Sequence, residues 1–330
     1  MGTQVLKIIC VVLGYWTISV SMVFANKYLV GDRKDKTDIS IFIAWFQCII
    51  TVVTIFVLRA LKKVCLKADL EPLFNHRQMI TKQLCMLTCT FVSMLTFNNL
   101  CLKHVGVAFF QVARSMTLIF TVIFSVIILK RSVSYRVVIC CLVVAGGFIL
   151  GVDQEKLAGT LSVQGVTYGV VTSLFVSLNG IFTKRALDVV ENDSVKLTLY
   201  NNINASLLFI PFVVGTGQLQ EVITSDRMSD LYFWTFLTAT GSLSFLIAWI
   251  SALQIDLTSP VTHHISANSK AVIQTIIAVV VTAGHKSPLW WFSNCIVVSG
   301  ALGYAVVRIH EDKGGKPAED PEKGNTKDSS

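Results

Sequence analysis

Charge is scarce in this chain. Of its 330 residues only 15% are Asp, Glu, Lys or Arg, against about 25% in an ordinary soluble domain. Hydrophobic residues make up 53% and mean hydropathy is +0.64. That balance excludes a soluble globular enzyme and points to an all-α protein crossing a membrane many times, with the lipid bilayer as its first partner. Acidic residues are scarcer still where it matters: all 20 Asp and Glu fall in loops, at segment borders or in the tail. The nine cysteines form no CxxC or Cys/His spacing, and several (Cys10, Cys85, Cys89, Cys101, Cys140, Cys141, Cys295) lie inside apolar runs as small buried hydrophobes. No P-loop, GxSxG elbow or HExxH pattern is present, so catalysis has no foothold. No catalytic residue, metal or cofactor is therefore expected, nor an enzyme.

What the chain has is oily runs. Ten of them, at about 7–29, 39–58, 83–102, 107–129, 137–152, 162–183, 197–214, 231–251, 260–282 and 289–307, approach or reach the roughly 20 residues that a helix needs to cross a hydrocarbon core. The first is followed by Asn26 and Lys27 rather than a cleavage site, so it reads as a retained span. The formal charge of +8 could suggest nucleic acid, but the basic residues lie between the runs, as orientation signals do. One face collects 18 Lys and Arg and the other 7, which predicts cytosolic termini. The stretch 311–330, rich in Lys, Glu, Asp, Gly and Pro, is expected to be a disordered cytosolic tail. The sequons at Asn192 and Asn204 fall on the cytosolic side and within a span, so neither should carry glycan.

A shift of 153 residues sets Gln111-Arg114 on His264-Ala267, Ser134 on Ser287 and Gly147 on Gly300. Ten spans then divide as five and five: a first repeat over 1–158 and a second over 159–310. An odd number per half makes the halves face opposite ways, with a site between them at midplane.

Three cations lie inside spans: Lys27, Arg114 and Lys270. A charge at the bilayer centre costs at least about 2.5–3.5 kcal/mol on insertion scales, and a structural buried cation normally has a carboxylate beside it. No span offers one at depth, so the simplest partner is an anion that comes and goes. Lys27, near the end of its segment, could instead snorkel to the interface, and backbone carbonyls could hold Arg114. Lys270 is too central to snorkel easily. Ser266 and Asn268 precede it, and Tyr15 and Trp16 are candidates to line the same pocket or to pack in the core. In the seventh segment Tyr200, Asn201, Asn202 and Asn204 share helical neighbourhoods; their amides suit a nucleobase edge, or interhelical hydrogen bonds. Trp290 and Trp291 read as an interfacial belt.

The stretches SMVFANKYLV (21–30), LTFNNLCLKHVGVAFFQVARS (95–115), LGVDQE (150–155), GTLS (159–162), LTLYNNINA (197–205) and LTSPVTH (257–263) resemble the nucleotide-sugar transporters of the drug/metabolite transporter superfamily, specifically those carrying GDP-fucose. The resemblance runs from about Leu6 to Arg308. It implies ten helices in two inverted five-helix repeats, residence in the Golgi membrane, and exchange of cytosolic GDP-fucose for luminal GMP; a homodimer is an assembly it allows. Tyr200, Asn201 and Asn202 match the family's guanine-reading FYNN motif, except that Leu199 stands where Phe would. Ser266 to Lys270 stand where GDP-mannose members carry GALNK, with lysine and alanine kept and the rest changed. That departure argues against GDP-mannose. The rival readings are a carrier of GDP-mannose or another nucleotide sugar, a sugar-phosphate or small-anion exchanger, and a membrane glycosyltransferase or scaffold.

Overall fold

A computed structural model describes residues 2–31, 38–66, 76–128, 130, 133–258, 260–281 and 286–314. Helices follow the oily runs: α1 (Gly2–Gly31), α2 (Ser40–Leu66), the single turn α3 (His76–Met79), α4 (Lys82–His104), α5 (Val107–Arg114), α6 (Met116–Ile127), α7 (Tyr135–Leu157), α8 (Val163–Leu187), α9 (Ser194–Gly215), the short α10 (Gln218–Thr224), α11 (Leu231–Leu257), α12 (Pro260–Val281) and α13 (Pro288–Gly314). Among the described residues there is no strand, and nine segments are long and apolar enough to cross a membrane. In α12 the apolar part is the shorter stretch Ser269–Val281. The protein is an all-α polytopic membrane protein.

Polar side chains fix where the helices begin. Asp193 accepts hydrogen bonds from the amides of Val195 and Lys196, and Asp230 from those of Tyr232 and Phe233. Ser134 and Ser162 do the same for α7 and α8, satisfying donors that a helix start leaves unpaired. The α2 start is capped from afar: the Gln218 side-chain carbonyl accepts from Ile41 and Phe42 at 3.0 and 2.9 Å.

The fourth run, expected as a span over about 107–129, is a span over Val107–Ile127. Within it the helix is interrupted at Ser115, immediately after Arg114. The Ser115 hydroxyl donates to the Val112 carbonyl at 2.6 Å, competing with the helical ladder at that point. Residue 129 lies outside the described residues. So does most of the expected tail over 311–330, although α13 continues as helix to Gly314.

The most extensive pairings are α4 with α8 and α7 with α13, followed by α2 with α9 and α11. Each joins a helix before residue 158 to one after it, so the two expected halves interleave in one body. Glycine permits the closest approach. A Cβ on Gly147 of α7 would lie 2.8 Å from Val297, and one on Gly300 of α13 would lie 2.7 Å from Val144. Both members of the two contacts are 153 positions apart, so α7 and α13 meet through reciprocal surfaces.

Trp290 is not a belt residue. It is 1% exposed, and its indole N–H donates to Glu155 at 2.9 Å, so burial and a hydrogen bond replace the expected interfacial position. Lys27 does not snorkel outward either. Its ammonium donates to the carbonyls of Leu102 (2.6 Å) and Val105 (3.0 Å), at the end of α4 where helical carbonyls lack intrahelical partners.

Candidate functional site

Lys270 lies at the eleventh position of α12 and is 8% exposed. Its ammonium donates to the Ser19 hydroxyl of α1 at 2.6 Å and stands 5.2 Å from the centre of the Tyr15 ring. Tyr15 and Ser19 are one turn apart and face the same way. One turn before Lys270, Ser266 accepts a hydrogen bond from the Trp16 indole at 2.8 Å. Thus α1 and α12 meet through Tyr15, Trp16 and Ser19 on one side and Ser266 and Lys270 on the other.

Arg114 completes the cluster from α5. It lies close enough to Tyr15 and Lys270 to interact with both electrostatically. More than a third of its surface is accessible, although Val112 and Ala113 before it are buried. Among the described residues neither Arg114 nor Lys270 forms an ion pair; the ion pairs there join Asp38 to Lys103 (2.9 Å), Glu155 to Lys286 (2.5 Å) and Glu311 to Arg308 (3.5 Å). Among the described residues, then, two cations converge with a hydroxyl and an aromatic ring as close neutral partners. An oxyanion carrying two or more charges would satisfy both, with the guanidinium able to bind it bidentately.

The seventh run forms a separate group. Tyr200 is 0% exposed and packs with Leu84, Leu87 and Phe182. Asn201 accepts from the Thr88 hydroxyl at 3.1 Å, and Asn202 donates to the Thr198 carbonyl of its own helix at 2.8 Å. Asn204 turns to α3, donating to the Met79 carbonyl at 2.9 Å. Helix α9 lies against α2 and α4, and α12 against α5, α13, α1 and α11. In this conformation, then, the asparagine group is folded against α4 and apart from the Lys270 cluster. The side chains of Asn268, His263 and His264 lie outside the described residues.

Sequence reasoning missed Ser19 and Thr88. Ser19 carried a signal, being a hydroxyl within an apolar run exactly one helical turn from Tyr15. Thr88 carried none, because its role comes from a residue 113 positions away.

At the end of the bundle marked by residues 103–106 and 155–162, polar groups are mutually satisfied. Glu155, buried in the last turns of α7, takes the Lys286 ammonium, the Trp290 indole and the Thr160 hydroxyl. A cleft of about 270 Å³ lies there, lined by His104, Gly106, Phe109, Glu155, Thr160 and Lys286 among others. In the preceding loop, partial burial pushes the Asp38 carboxyl up, but hydrogen bonding with Ser40 and the Lys103 ammonium outweigh it and hold it below the ordinary range.

Residues 6–305 match the Triose-phosphate Transporter family. The chain belongs to this family. It is accordingly a transporter and not an enzyme. A Nematostella vectensis protein named GDP-fucose transporter 1 is 45% identical over 307 residues, 93% of this chain and 91% of that protein. A Mus musculus protein of the same name is 41% identical, covering 96% and 87%. The Drosophila melanogaster protein named GDP-fucose transporter, Golgi, is 35% identical, covering 92% and 90%. One solved crystal structure shares the fold, with TM-score 0.55 at 11% identity over 94% of this chain and 99% of the other. A transporter needs a cargo site between helices rather than a reaction centre, and Lys270 and Arg114 are the candidates for it.

Proposed function

We propose that this protein carries GDP-fucose across the Golgi membrane, exchanging cytosolic GDP-fucose for luminal GMP by alternating access. The observation that carries the reading is the pair Lys270 and Arg114, brought together within the membrane with no carboxylate partner among the described residues. The choice of cargo follows the names of relatives that are 35–45% identical over nine-tenths of the chain.

The pyrophosphate displaces Ser19 from the Lys270 ammonium and bridges it to Arg114. Ser266 lines the α12 side and Tyr15 the α1 side. Guanine meets Tyr200, Asn201 and Asn202 when α9 parts from α4, with Asn201 exchanging Thr88 for the base edge. Asn204 and Lys27 support this arrangement from the rim, Asn204 by tying α9 to α3 and Lys27 by holding the end of α4. Without cargo, two like charges oppose closure of the water-filled cleft; a bound nucleotide cancels them and lets the halves rock. Return then needs another nucleotide, which gives exchange instead of leak.

Ten spans in two inverted five-helix repeats, 1–158 and 159–310, complete the reading, with both termini cytosolic. The reciprocal Gly147–Val297 and Gly300–Val144 contacts support that symmetry.

The test is uptake into liposomes loaded with GMP and challenged with GDP-fucose, GDP-mannose or UDP-galactose. GDP-fucose should enter fastest, only with GMP inside, and external GMP should compete. Equal uptake by empty liposomes would remove the exchange step. Competition by triose phosphates but not by GMP would replace the nucleotide sugar with a sugar phosphate, a cargo that leaves the Tyr200–Asn202 group unused.

A further inference from the structure

One turn beyond Lys270 on α12 stands a side chain with no role in the account so far. Gln274 is 0% exposed, and among the described residues neither its amide nitrogen nor its amide oxygen has a hydrogen-bond partner. Buried polar groups in folded proteins are almost always paired, so an amide orphaned at both atoms needs a reason. Packing supplies none. An unbranched apolar side chain would fill the same space without burying two unsatisfied groups.

Its position supplies one. Ser266, Lys270 and Gln274 are spaced four residues apart and form one face of α12, each about 6 Å further along the axis. Tyr200 lies six residues into α9 and Ser266 six into α12. The two helices run the same way, since α11 is the one long helix between them. Along α12 the order is Ser266, then the lysine proposed to bind phosphate one turn deeper, then Gln274 a further turn on. A nucleotide sugar laid along this face, base first, brings its sugar to Gln274.

We propose that Gln274 is the residue that reads the sugar hydroxyls of the cargo. A carboxamide presents a donor and an acceptor side by side, the pattern that adjacent sugar hydroxyls complement. GMP ends at its phosphate and cannot reach this amide, so Gln274 distinguishes the sugar-bearing cargo from the returning nucleotide. The proposal rests on the GDP-fucose reading.

The experiment compares wild type with Gln274→Met, which keeps length and removes both polar atoms, in GMP-loaded liposomes and in thermal unfolding of the purified protein. The Met variant should melt at least about 2 °C higher, since it relieves two orphaned groups. Its KM for GDP-fucose should rise about tenfold or more, while the GMP concentration giving half-inhibition stays within about twofold of wild type. A KM unchanged from wild type overturns the proposal. So does an equal loss of GMP competition, which would make Gln274 a general support of the site. If Gln274→Met fails to reach the membrane, Gln274→Ala carries the same transport readings. Failure of the wild-type protein to exchange GDP-fucose, with GMP competition intact, overturns the cargo reading together with this one.

Discussion

Two lysines in this bundle sit in nearly the same local setting. Lys270 stands 5.2 Å from the Tyr15 ring and donates to Ser19 at 2.6 Å; Lys286 stands 5.3 Å from the Trp290 ring and contacts Glu155 at 2.5 Å. The difference is the acceptor. Lys286 meets a carboxylate that also holds an indole and a hydroxyl, so its charge is cancelled by the protein itself. Lys270 meets a neutral hydroxyl, with a second cation, Arg114, nearby. A lysine that ties helices together brings its counter-ion along; on the proposed reading, Lys270 takes its counter-ion from the cargo.

That comparison can be broken experimentally. The largest effect should come from Lys270→Ala, which removes the proposed phosphate contact whatever the base or sugar. Losing one partner of a buried charged pair costs about 2–5 kcal/mol, so transport of every GDP-sugar should fall by about 30-fold or more. Near-normal uptake at equal abundance in the membrane would take Lys270 out of the site.

Glu155→Gln should act on stability instead. It leaves the Lys286 ammonium without its counter-charge, which in a mostly buried pair costs about 2 kcal/mol or more. The ligand-free melting temperature should drop while GMP competition stays unchanged. If GMP binding weakens and the melting temperature holds, the roles assigned to the two lysines are interchanged.

A smaller effect is expected at Asn202→Ala. One hydrogen bond to the base is worth about 1 kcal/mol, so preference for guanine over uridine nucleotides should narrow by about fivefold. An unaltered ratio of GMP to UMP competition would show that the α9 group reads no base.

Least should come from the Asp38–Lys103 pair. Its side chains are 36% and 28% exposed, and exposed pairs contribute about 0–1 kcal/mol. Because the Asp38 carboxyl is held below its ordinary value, its stabilisation is present above the unfolded pKa of about 3.9 and is lost only as pH falls through the lower folded value. Melting of wild type and Lys103→Met should therefore run in parallel from pH 8 to 5. Divergence of the two curves near pH 6 would mean that another group controls this corner.

Much of this was legible before the fold. Run length and hydropathy placed the long helices, because a span is a local property of about 20 consecutive residues. The lack of acidic residues at depth already marked Lys270 and Arg114, since a buried charge without a partner needs an explanation wherever the helices go. Other assignments turned on partners distant in sequence. Lys27 could be read as an interfacial residue until α4 ended beside it, 75 residues away. Trp290 suited a membrane belt until Glu155 arrived from α7, 135 positions earlier. The interruption at Ser115 follows from a hydroxyl that serves helices as readily as it breaks them.

The amino-acid sequence by itself determined that this chain spans a membrane repeatedly, and that its buried positive charges outnumber any acid able to reach them. Only the tertiary structure decided which cations converge, which is tied to a helix end, and which amide is left without a partner. The reason is distance along the chain. Hydropathy and helical period act within a few turns, whereas the hydrogen bond from Lys270 to Ser19 closes a separation of 251 residues, and only packing brings such residues together.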